Sequence, residues 1–593
     1  MSIIQKIGIG FLLVGGGLLI ALLFISRYEI SEETLKQAIN NQAEQAEVKA
    51  ALNDIINKTY GSSLAINSAI ESNLKNANDE IKSKYSITES DLEKVLAQFS
   101  ALKITYDNAK LDELFDDSAI GQFKREQLKS YTSWMNDREY AQEALRDQLE
   151  STRNNINGSI IGSKGYNEYK IKSLQLAITR HATLGPAKSN TLLMLFLTIG
   201  LGIIGGLLYI LPKVKLLPGI KNNHIFHSKN TNRGWIGYTI GFLFIAFYII
   251  LYWYPEYMTS WMLLVDPVSV ALSGNLASQW FFYGFLYTLA IVVMGIRMII
   301  KYRHSKYHII RTGSVMFFQT AFAFLIPEIL VRLNQPSMDL KNIWPLNYTF
   351  FYDYNLETLT TSGSVGLSML VWGTGLALIG VPVITYFYGK RWYCSWVCGC
   401  GGLAETLGDP YRQLSDKSLK AWQVERWMVH GVLVFSVVMT FAVLYTYFTG
   451  NSTLAGINSY DLRSVYGFAI GAAFAGVVGV GFYPLMGNRV WCRFGCPLAA
   501  YLGIIQRFKS RFRITTNGGQ CISCGNCSTY CEMGIDVRAY AQKGQNIIRA
   551  SCVGCGVCSS VCPRGVLKLE NKDPKGRFNE PILIGNDGVK VQG

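Results

Sequence analysis

The chain has 593 residues, of which 49% are hydrophobic and only 16% are charged, and its formal net charge is +15. This length exceeds what a single domain usually needs, and the low charged fraction argues against a wholly water-soluble protein. The composition therefore predicts a chain that combines membrane-spanning parts with water-soluble parts.

Eight apolar runs of about 20 residues are each long enough to cross a bilayer core of roughly 30 Å. They lie at about 7–26, 191–211, 234–254, 280–300, 312–333, 364–388, 427–448 and 464–485. The first run follows Lys6 but precedes no A-x-A cleavage pattern, which predicts a retained anchor over residues 1–27. Residues 255–279, which are broken by Asp266-Pro267, are predicted to form a surface or re-entrant segment.

Basic residues mark every second connection between the predicted spans. Examples are Lys213 and Lys215, Lys301 and Arg303, Lys390 and Arg391, and Arg489 and Arg493. The positive-inside rule then predicts a bacterial inner-membrane protein with both termini in the cytoplasm and residues 28–190 on the periplasmic side. Residues 28–190 hold 20 Lys and Arg against 24 Asp and Glu, whereas the rest of the chain holds 36 against 17. The positive charge thus belongs to the predicted cytoplasmic face and does not predict a nucleic-acid partner.

The predicted periplasmic segment, 28–190, shows the apolar spacing of amphipathic helices. Leu35, Ala38 and Ile39 recur at intervals of three and four residues, and similar stripes follow further along the segment. Such stripes indicate core packing, so we expect an antiparallel helical bundle that docks a partner protein or a companion subunit.

The last part of the chain, 515–593, contains two runs with the spacing C-x2-C-x2-C-x3-C. Bacterial ferredoxins use this spacing to hold two [4Fe–4S] clusters, and each run supplies three ligands to one cluster and a fourth ligand to the other. The predicted ligand sets are Cys521, Cys524, Cys527 and Cys562 for one cluster, and Cys552, Cys555, Cys558 and Cys531 for the other. Zinc is the alternative, but zinc sites usually pair two C-x2-C knuckles. Pro563 follows the second run, whereas Glu532 takes that place after the first.

Two C-x3-C motifs follow the predicted spans six and eight. They are Cys394 with Cys398, and Cys492 with Cys496; Cys400 is an additional thiol. If the helix continues through each pair, residues i and i+4 present both thiols on one face. One interpretation is a third iron–sulfur cluster held by these four thiols, in which Cys400 replaces one of them or takes no part. The alternatives are free thiols, packing residues or a transient metal site.

All thirteen cysteines lie in predicted cytoplasmic regions, where disulfides are rare. Only His430 among the six histidines falls in a predicted span, so a transmembrane haem with two histidine ligands is not expected. A quinone is then the natural redox partner in the membrane. Ionisable residues inside spans are candidates for its site: Glu328 and Arg332, which otherwise form a structural ion pair, and His430, which otherwise is a satisfied interior histidine.

The stretch Trp491-Cys-Arg-Phe-Gly-Cys-Pro-Leu498, together with the two C-x3-C motifs and the two-cluster tail, resembles the NosR/NapH/CcoG group of membrane polyferredoxins. The resemblance covers about residues 191–570. It implies electron transfer between the quinol pool and a partner reductase, or reduction of a metal during oxidase assembly. Gly399 stands where that group usually has proline, and Cys400 is an addition.

Taken together, these features predict a mostly α membrane protein with about eight transmembrane helices and a small α+β ferredoxin-like domain. The predicted domains are 1–27, 28–190, 191–514 and 515–593. The predicted function is iron–sulfur electron transfer between the quinone pool, or a cytoplasmic donor, and a partner redox protein. The chain would then serve as a subunit of a quinol-linked oxidoreductase. The alternatives are an assembly or metal-reducing factor for a respiratory enzyme, and a redox-sensing membrane protein.

Overall fold

The computed structural model describes residues 2–98, 104–216, 218, 233–571, 583–585 and 588–590. Within these ranges, eight helices are long and apolar enough to cross a membrane, which confirms the predicted number. Spans 1 to 8 are Ile3–Ile25, Thr191–Lys215, Trp235–Trp253, Gln279–Lys301, Lys306–Arg332, Gly363–Tyr388, Leu419–Thr449 and Ser459–Gly481.

Span 7 begins at Leu419, well before the predicted start at 427. The additional turns contain Glu425, and its carboxylate is paired with Arg493 at 3.0 Å. A charge that is neutralised in this way can be carried in a buried helix, so the apolar run alone underestimates the length of the span. Several spans also contain π-helical turns, at Phe196–Gly200, Phe318–Leu325, Leu376–Gly380 and Gly467–Val478.

Residues 20–190 together with 255–263 form one compact unit that is helical, as expected for the segment 28–190. Its helices are Glu32–Ala38, Gln42–Ala51, Ser63–Tyr85, Glu89–Ala97, Ala119–Thr132, Gln142–Lys164 and Glu168–Ala182. Two small antiparallel pairings accompany them: Arg27–Glu29 between Thr59–Tyr60 and Thr183–Leu184, and Ile104–Thr105 with Glu139–Tyr140. Apolar stripes form its two cores, one around Ile70 and one around Leu149.

The segment predicted as a surface or re-entrant piece forms the turn Pro255–Met258 and the helix Thr259–Ser273. Its first part packs within the same unit, where Ser63 donates to the carbonyl oxygen of Glu256 at 3.3 Å. The Asp266-Pro267 pair does not break the helix. Instead, the Asp266 carboxylate accepts a hydrogen bond from the backbone of Ala277 at 2.8 Å and closes the following turn.

The second compact unit comprises residues 1–19, 191–254 and 264–593. Between its spans lie the short helices Asp353–Thr361, Arg391–Cys394, Gly399–Thr406 and Tyr483–Met486, the π turn Trp491–Gly495 and the helix Pro497–Lys509. A small hairpin, Thr453–Leu454 with Ile457–Asn458, precedes span 8.

The C-terminal part of this unit is α+β, as predicted. The strand Phe512–Thr516 pairs antiparallel with Leu567–Asn571, and the helices Asn526–Thr529, Val537–Gln542 and Val557–Ser560 lie between the two strands in the chain. The predicted domain boundary at 514/515 falls within the first strand. A separate hairpin joins Leu583–Gly585 to Gly588–Lys590.

One apolar core runs through the membrane and cysteine-rich parts of this unit. It contains Cys394, Cys492, Cys527 and Cys552 together with Ile343 from the connection between spans 5 and 6. Tyr393 donates a hydrogen bond at 2.8 Å to the carbonyl oxygen of Lys341, which belongs to the same connection. This continuous core places all the cysteine motifs in one packed region.

Candidate metal centres

The first quartet consists of Cys521, Cys524, Cys527 and Cys562, which border one small cavity of about 20 Å³. The structure therefore brings together the four thiols that the ferredoxin spacing groups. Cys562 lies at the far end of the second run, and its Sγ accepts a hydrogen bond from the backbone N–H of Val566 at 3.3 Å. Cys524 is exposed, so this quartet reaches the surface of the unit.

The second quartet consists of Cys531, Cys552, Cys555 and Cys558. Burial and then the thiols of Cys555, Cys552 and Cys531 raise the pKa of Cys558, as expected when four sulfurs face a common point. The Cys531 Sγ accepts a hydrogen bond from the Ile535 backbone at 3.4 Å. Cys527 of the first quartet also acts on the pKa of Cys558, so the two quartets are neighbours.

Side chains from the membrane helices and their connections hold the loop of the second quartet. Tyr307 of span 5 donates to the Gly554 carbonyl oxygen at 2.7 Å, and Arg311, one turn further along, donates to the carbonyl oxygen of Cys555. Gln506 donates to the Cys552 carbonyl oxygen at 2.8 Å. The loop is thus fixed to the membrane helices by its own backbone.

The third quartet consists of Cys394, Cys398, Cys492 and Cys496, which border a buried cavity of about 10 Å³. The helix does not continue through either C-x3-C pair. Arg391–Cys394 ends at the first thiol, and Cys398 and Cys496 each precede the first residue of a new helix. Burial raises the pKa of Cys496, and the hydrogen bond that its Sγ accepts from the Ala499 N–H at 3.4 Å offsets part of that effect.

Cys400 is hydrogen-bonded to Cys398, and this bond lowers the pKa of Cys398 to about 6. The same bond, together with burial, raises the pKa of Cys400. Cys398 belongs to the C-x3-C pair and directly precedes the helix Gly399–Thr406, whose positive dipole end favours a thiolate, and this position favours Cys398 over Cys400 as a metal ligand.

The spacing of the sulfurs separates zinc from a larger cluster. Tetrahedral zinc, with Zn–S bonds of about 2.3 Å, holds its sulfurs about 3.8 Å apart. In the described part of the chain, one group of three or more candidate ligand atoms lies within 4.8 Å of one another, namely Glu405, Glu532 and Cys555. No cysteine quartet in these ranges has three sulfurs that close, so none of them has the spacing of a tetrahedral zinc site.

A buried carboxylate connects the second and third quartets through two arginines. Glu532 is 0% exposed and pairs with Arg412 at 2.5 Å and with Arg489 at 2.9 Å. Arg489 also lies 3.7 Å from the Cys492 Sγ, and Arg412 lies 3.9 Å from the Cys555 Sγ. Desolvation alone would raise the pKa of Glu532, but the two guanidinium groups lower it, so the bridge is ionic.

Cations outnumber carboxylates in the network around this bridge. Five cations, Arg297, Lys301, Arg311, Arg412 and Arg489, face three carboxylates, Glu405, Asp409 and Glu532. In addition, Lys390 is 2% exposed and its charge favours the thiolates of Cys394, Cys492 and Cys552. A positive excess of this kind offsets the negative charge that a cluster with four thiolates carries. This network could not be predicted from the sequence, because most of its partners lie more than 80 residues apart.

The three quinone candidates do not lie together. Glu328 is within hydrogen-bonding reach of Ser273, and Arg332 donates to the carbonyl oxygen of Ala271. Neither lines a cavity beside a quartet in the described part of the chain. His430 lines a large cavity that also reaches Cys492, and its Nδ1 lies 2.6 Å from the carbonyl oxygen of Arg426.

The cysteine motifs coincide with two known domain families. A family described as "4Fe-4S binding domain" matches residues 371–418 and 467–515, and one described as "4Fe-4S dicluster domain" matches residues 513–563. No solved structure matches the chain significantly.

Curated relatives match only part of the chain. The "Putative electron transport protein YccM" of Escherichia coli is 28% identical over 174 residues, which are 27% of this chain and 46% of the relative. The "Methylamine utilization ferredoxin-type protein MauN" of Methylobacillus flagellatus is 28% identical over 29% of this chain and 60% of the relative. MauN of Methylorubrum extorquens is 27% identical over 34% and 66%. The chain thus spans about half of the length of the first two relatives, and its two domain matches together cover all thirteen cysteines.

Proposed function

We propose that this chain is a membrane-bound iron–sulfur electron-transfer protein that carries three [4Fe–4S] clusters, one in each cysteine quartet. The observation that carries the proposal is the continuous apolar core that holds the third quartet and members of the other two, with the Arg489–Glu532–Arg412 bridge between the third and the second. Clusters supply one-electron redox chemistry when bound. The second quartet adjoins the third through the Glu532 bridge and the first through Cys527 and Cys558. The printed names of the relatives support electron transport as the class of function.

The wider assignment follows the resemblance to the NosR/NapH/CcoG type of membrane polyferredoxin. In this proposal the chain is a multi-pass protein of the bacterial inner membrane, the basic connections and both termini are cytoplasmic, and residues 28–190 form a periplasmic domain. The membrane redox partner is the quinone pool, and a partner redox protein or companion subunit exchanges electrons at the cytoplasmic end. The domains are taken as 1–27, 28–190, 191–514 and 515–593.

We place the quinone head group in an aromatic cavity on the membrane side of the third quartet. This aromatic cavity has a volume of about 390 Å³, and its lining includes Tyr283 and Tyr287 of span 4, Tyr466 of span 8 and both Cys398 and Cys400. A flat ring fits between aromatic walls, and the volume lies in the range of ligand pockets. An occupant would lie directly beside the third quartet.

Two unsatisfied polar atoms in the lining match the two functions that a quinone or quinol requires. Trp491 Nε1, on a residue that is 7% exposed, and Gln319 Oε1, on a residue that is 5% exposed, have no hydrogen-bond partner among the described residues. The indole N–H can donate to a quinone carbonyl, and the amide oxygen can accept from a quinol hydroxyl. Burying such atoms unpaired is costly, which favours a polar occupant. Gln319 lies in a π-helical turn of span 5, and such turns are common at functional sites.

Replacing Trp491 by phenylalanine is expected to slow reduction of the clusters by a soluble quinol by up to about tenfold. The change removes one hydrogen-bond donor and keeps an aromatic ring, and a neutral hydrogen bond contributes about 0.5–1.5 kcal/mol. Stopped-flow absorbance at the iron–sulfur bands measures the rate, and reduction by dithionite in the same sample reports that the clusters are intact.

Trp396→Phe is the matched control, because the Trp396 Nε1 donates to Tyr307 outside the aromatic cavity. Equal quinol rates in Trp491→Phe and Trp396→Phe, with intact clusters in both, would contradict this placement of the quinone. The proposal for three clusters would survive that result, because iron content tests it separately.

The first quartet is the proposed point of exchange with the partner protein. Ile522 is 53% exposed beside the exposed Cys524, and Arg538 and Arg564 line the same cavity. An exposed apolar residue with basic neighbours fits an acidic docking surface on the partner.

Reversing both charges, in Arg538→Glu with Arg564→Glu, is expected to lower the rate of electron exchange with an acidic ferredoxin or flavodoxin at least tenfold at low salt. The loss should shrink as ionic strength rises, because salt screens surface charges. Arg125→Glu with Arg146→Glu, in the segment 28–190, is the charge-matched control. A rate loss that is independent of salt would point to cluster damage instead of docking.

A further inference from the structure

A second cavity beside the third quartet is strongly cationic. This cationic cavity has a volume of about 780 Å³ and lies between span 7, the helix Pro497–Lys509 and residues 533–551 of the cysteine-rich part. Its lining holds five cations, Lys390, Arg426, Arg493, Arg507 and Arg549, and one carboxylate, Glu425. Because Glu425 is already paired with Arg493 at 3.0 Å, four positive charges face the cavity without a carboxylate from the lining.

Aromatic side chains hold two of these guanidinium groups in place. The Arg549 guanidinium carbon lies 4.9 Å from the centre of the Trp422 ring, and that of Arg426 lies 5.3 Å from the same ring. Arg549 also donates to the Tyr540 hydroxyl at 2.8 Å. Stacking fixes a guanidinium plane while most of its N–H groups remain available for an anion.

Most of the other lining residues are apolar, and His430 is also among them. Ala499, Ala500 and Gly503 form one wall, and the exposed side chains of Trp427 and Phe508 stand at the rim. Exposed tryptophan beside basic residues is typical of the interface between a bilayer and water. The cavity thus combines an anion site with an apolar approach, which is the chemistry of an anionic amphiphile.

We propose that the cationic cavity binds the phosphate-bearing head group of an anionic phospholipid. Its acyl chains would follow the apolar rim at Trp427 and Phe508. Basic pockets between membrane helices on the cytoplasmic side are known to bind such head groups. Lys390, which is 2% exposed, also lines the cavity and adds to its positive charge.

This ligand would connect the cysteine-rich part to the membrane helices. Arg426 belongs to span 7 and Arg507 to the helix Pro497–Lys509, whereas Arg549 lies between the two cysteine runs. One phosphodiester group that contacts all three residues would link segments that are far apart in the sequence. The site shares no lining residue with the aromatic cavity that we assign to the quinone.

The test measures lipid retention by the detergent-purified full chain in native mass spectrometry. The probes are dioleoyl-phosphatidylglycerol and dioleoyl-phosphatidylcholine, each added in a titration, with inorganic phosphate as a third arm. We expect phosphatidylglycerol to bind at least tenfold more tightly than phosphatidylcholine. Each basic residue contributes about fivefold to binding near a charged surface. The triple variant Arg426→Gln/Arg507→Gln/Arg549→Gln should therefore bind phosphatidylglycerol on the order of a hundredfold more weakly, or lose its preference over phosphatidylcholine altogether.

The matched control is Lys420→Gln/Lys509→Gln/Lys543→Gln, which removes equal charge from the same three regions outside the cavity lining. Iron content must remain unchanged in both triple variants, which reports that the fold is retained. Equal binding of the two lipids, an equal loss in both triple variants, or tight binding of inorganic phosphate alone would each overturn the proposal. Displacement of the lipid by a soluble quinone would also overturn it, because it would assign the cavity to the quinone.

Discussion

Replacing Cys492 by serine is expected to lower the iron content of the purified chain from about twelve to about eight atoms. The third quartet then lacks one thiolate, and a serine hydroxyl is both harder and far less acidic than a thiol. Cys394, Cys398 and Cys496 would remain on the walls of the same buried cavity. The first and second quartets share none of these residues, so their clusters should persist. Iron and acid-labile sulfide per chain, with the electron paramagnetic resonance spectrum of the reduced protein, measure the loss.

Cys400→Ser is the control that the chain itself supplies. Cys400 lines the same cavity but lies outside the two C-x3-C pairs, so its replacement should leave about twelve iron atoms in place. If Cys492→Ser retains all the iron of the parent chain, the third cluster does not exist. If Cys400→Ser loses four iron atoms while Cys398→Ser loses none, Cys400 is the ligand and our choice between the two thiols is wrong.

The number of spans could be predicted from the sequence, because each span depends only on the composition of its own segment. Each span needs about 20 apolar residues, and every one of the eight runs forms a long helix. The start of span 7 was missed because Glu425 interrupts the apolar run. Its partner, Arg493, stands 68 residues further along the chain, and no local pattern announces such a pair.

The C-x3-C spacing would place both thiols of a pair on one face of a continuous helix. In the structure, no helix continues through either pair. The chain turns between the thiols, and Gly401 then passes so close to Cys394 that a Cβ atom would lie 2.0 Å from the Cys394 carbonyl oxygen. A residue with a side chain does not fit at that point, so the glycine-rich stretch after Cys398 has a steric reason. By contrast, the ferredoxin spacing of the two C-terminal runs was sufficient to group the cysteines of the first and second quartets.

The proposed quinone site was the hardest part to predict from the sequence, because ionisable residues within spans are the first candidates for such a site. Glu328 and Arg332 drew attention as charges within a span, yet the structure places them at Ser273 and Ala271. Gln319 and Trp491 are uncharged, and only their unpaired buried atoms single them out. Such a signal exists only in three dimensions.

Glu532 shows how a small departure in a motif can have a physical reason. It occupies the place that proline takes after the second run, and its carboxylate joins Arg412 to Arg489. Glu532→Gln is expected to raise the reduction potentials of the clusters in the second and third quartets. Removing one negative charge favours the more negative, reduced state of each cluster. At an effective dielectric constant of about 20, a unit charge about 7 Å away contributes about 2 kcal/mol, on the order of 100 mV for one electron.

Redox titration followed by electron paramagnetic resonance measures these potentials in Glu532→Gln and in the parent chain. The first quartet has no contact with the Glu532 bridge in the described residues, so its cluster should shift least. Asp353→Asn is the matched control. Asp353 pairs with Arg463 at a distance of 2.7 Å, and this pair involves none of the three quartets. Breaking a buried pair also costs about 3–5 kcal/mol of folding stability, so iron content has to be verified first. Unchanged potentials in a fully loaded Glu532→Gln protein would mean that the bridge only fastens the second quartet to the membrane helices and does not set the driving force between clusters.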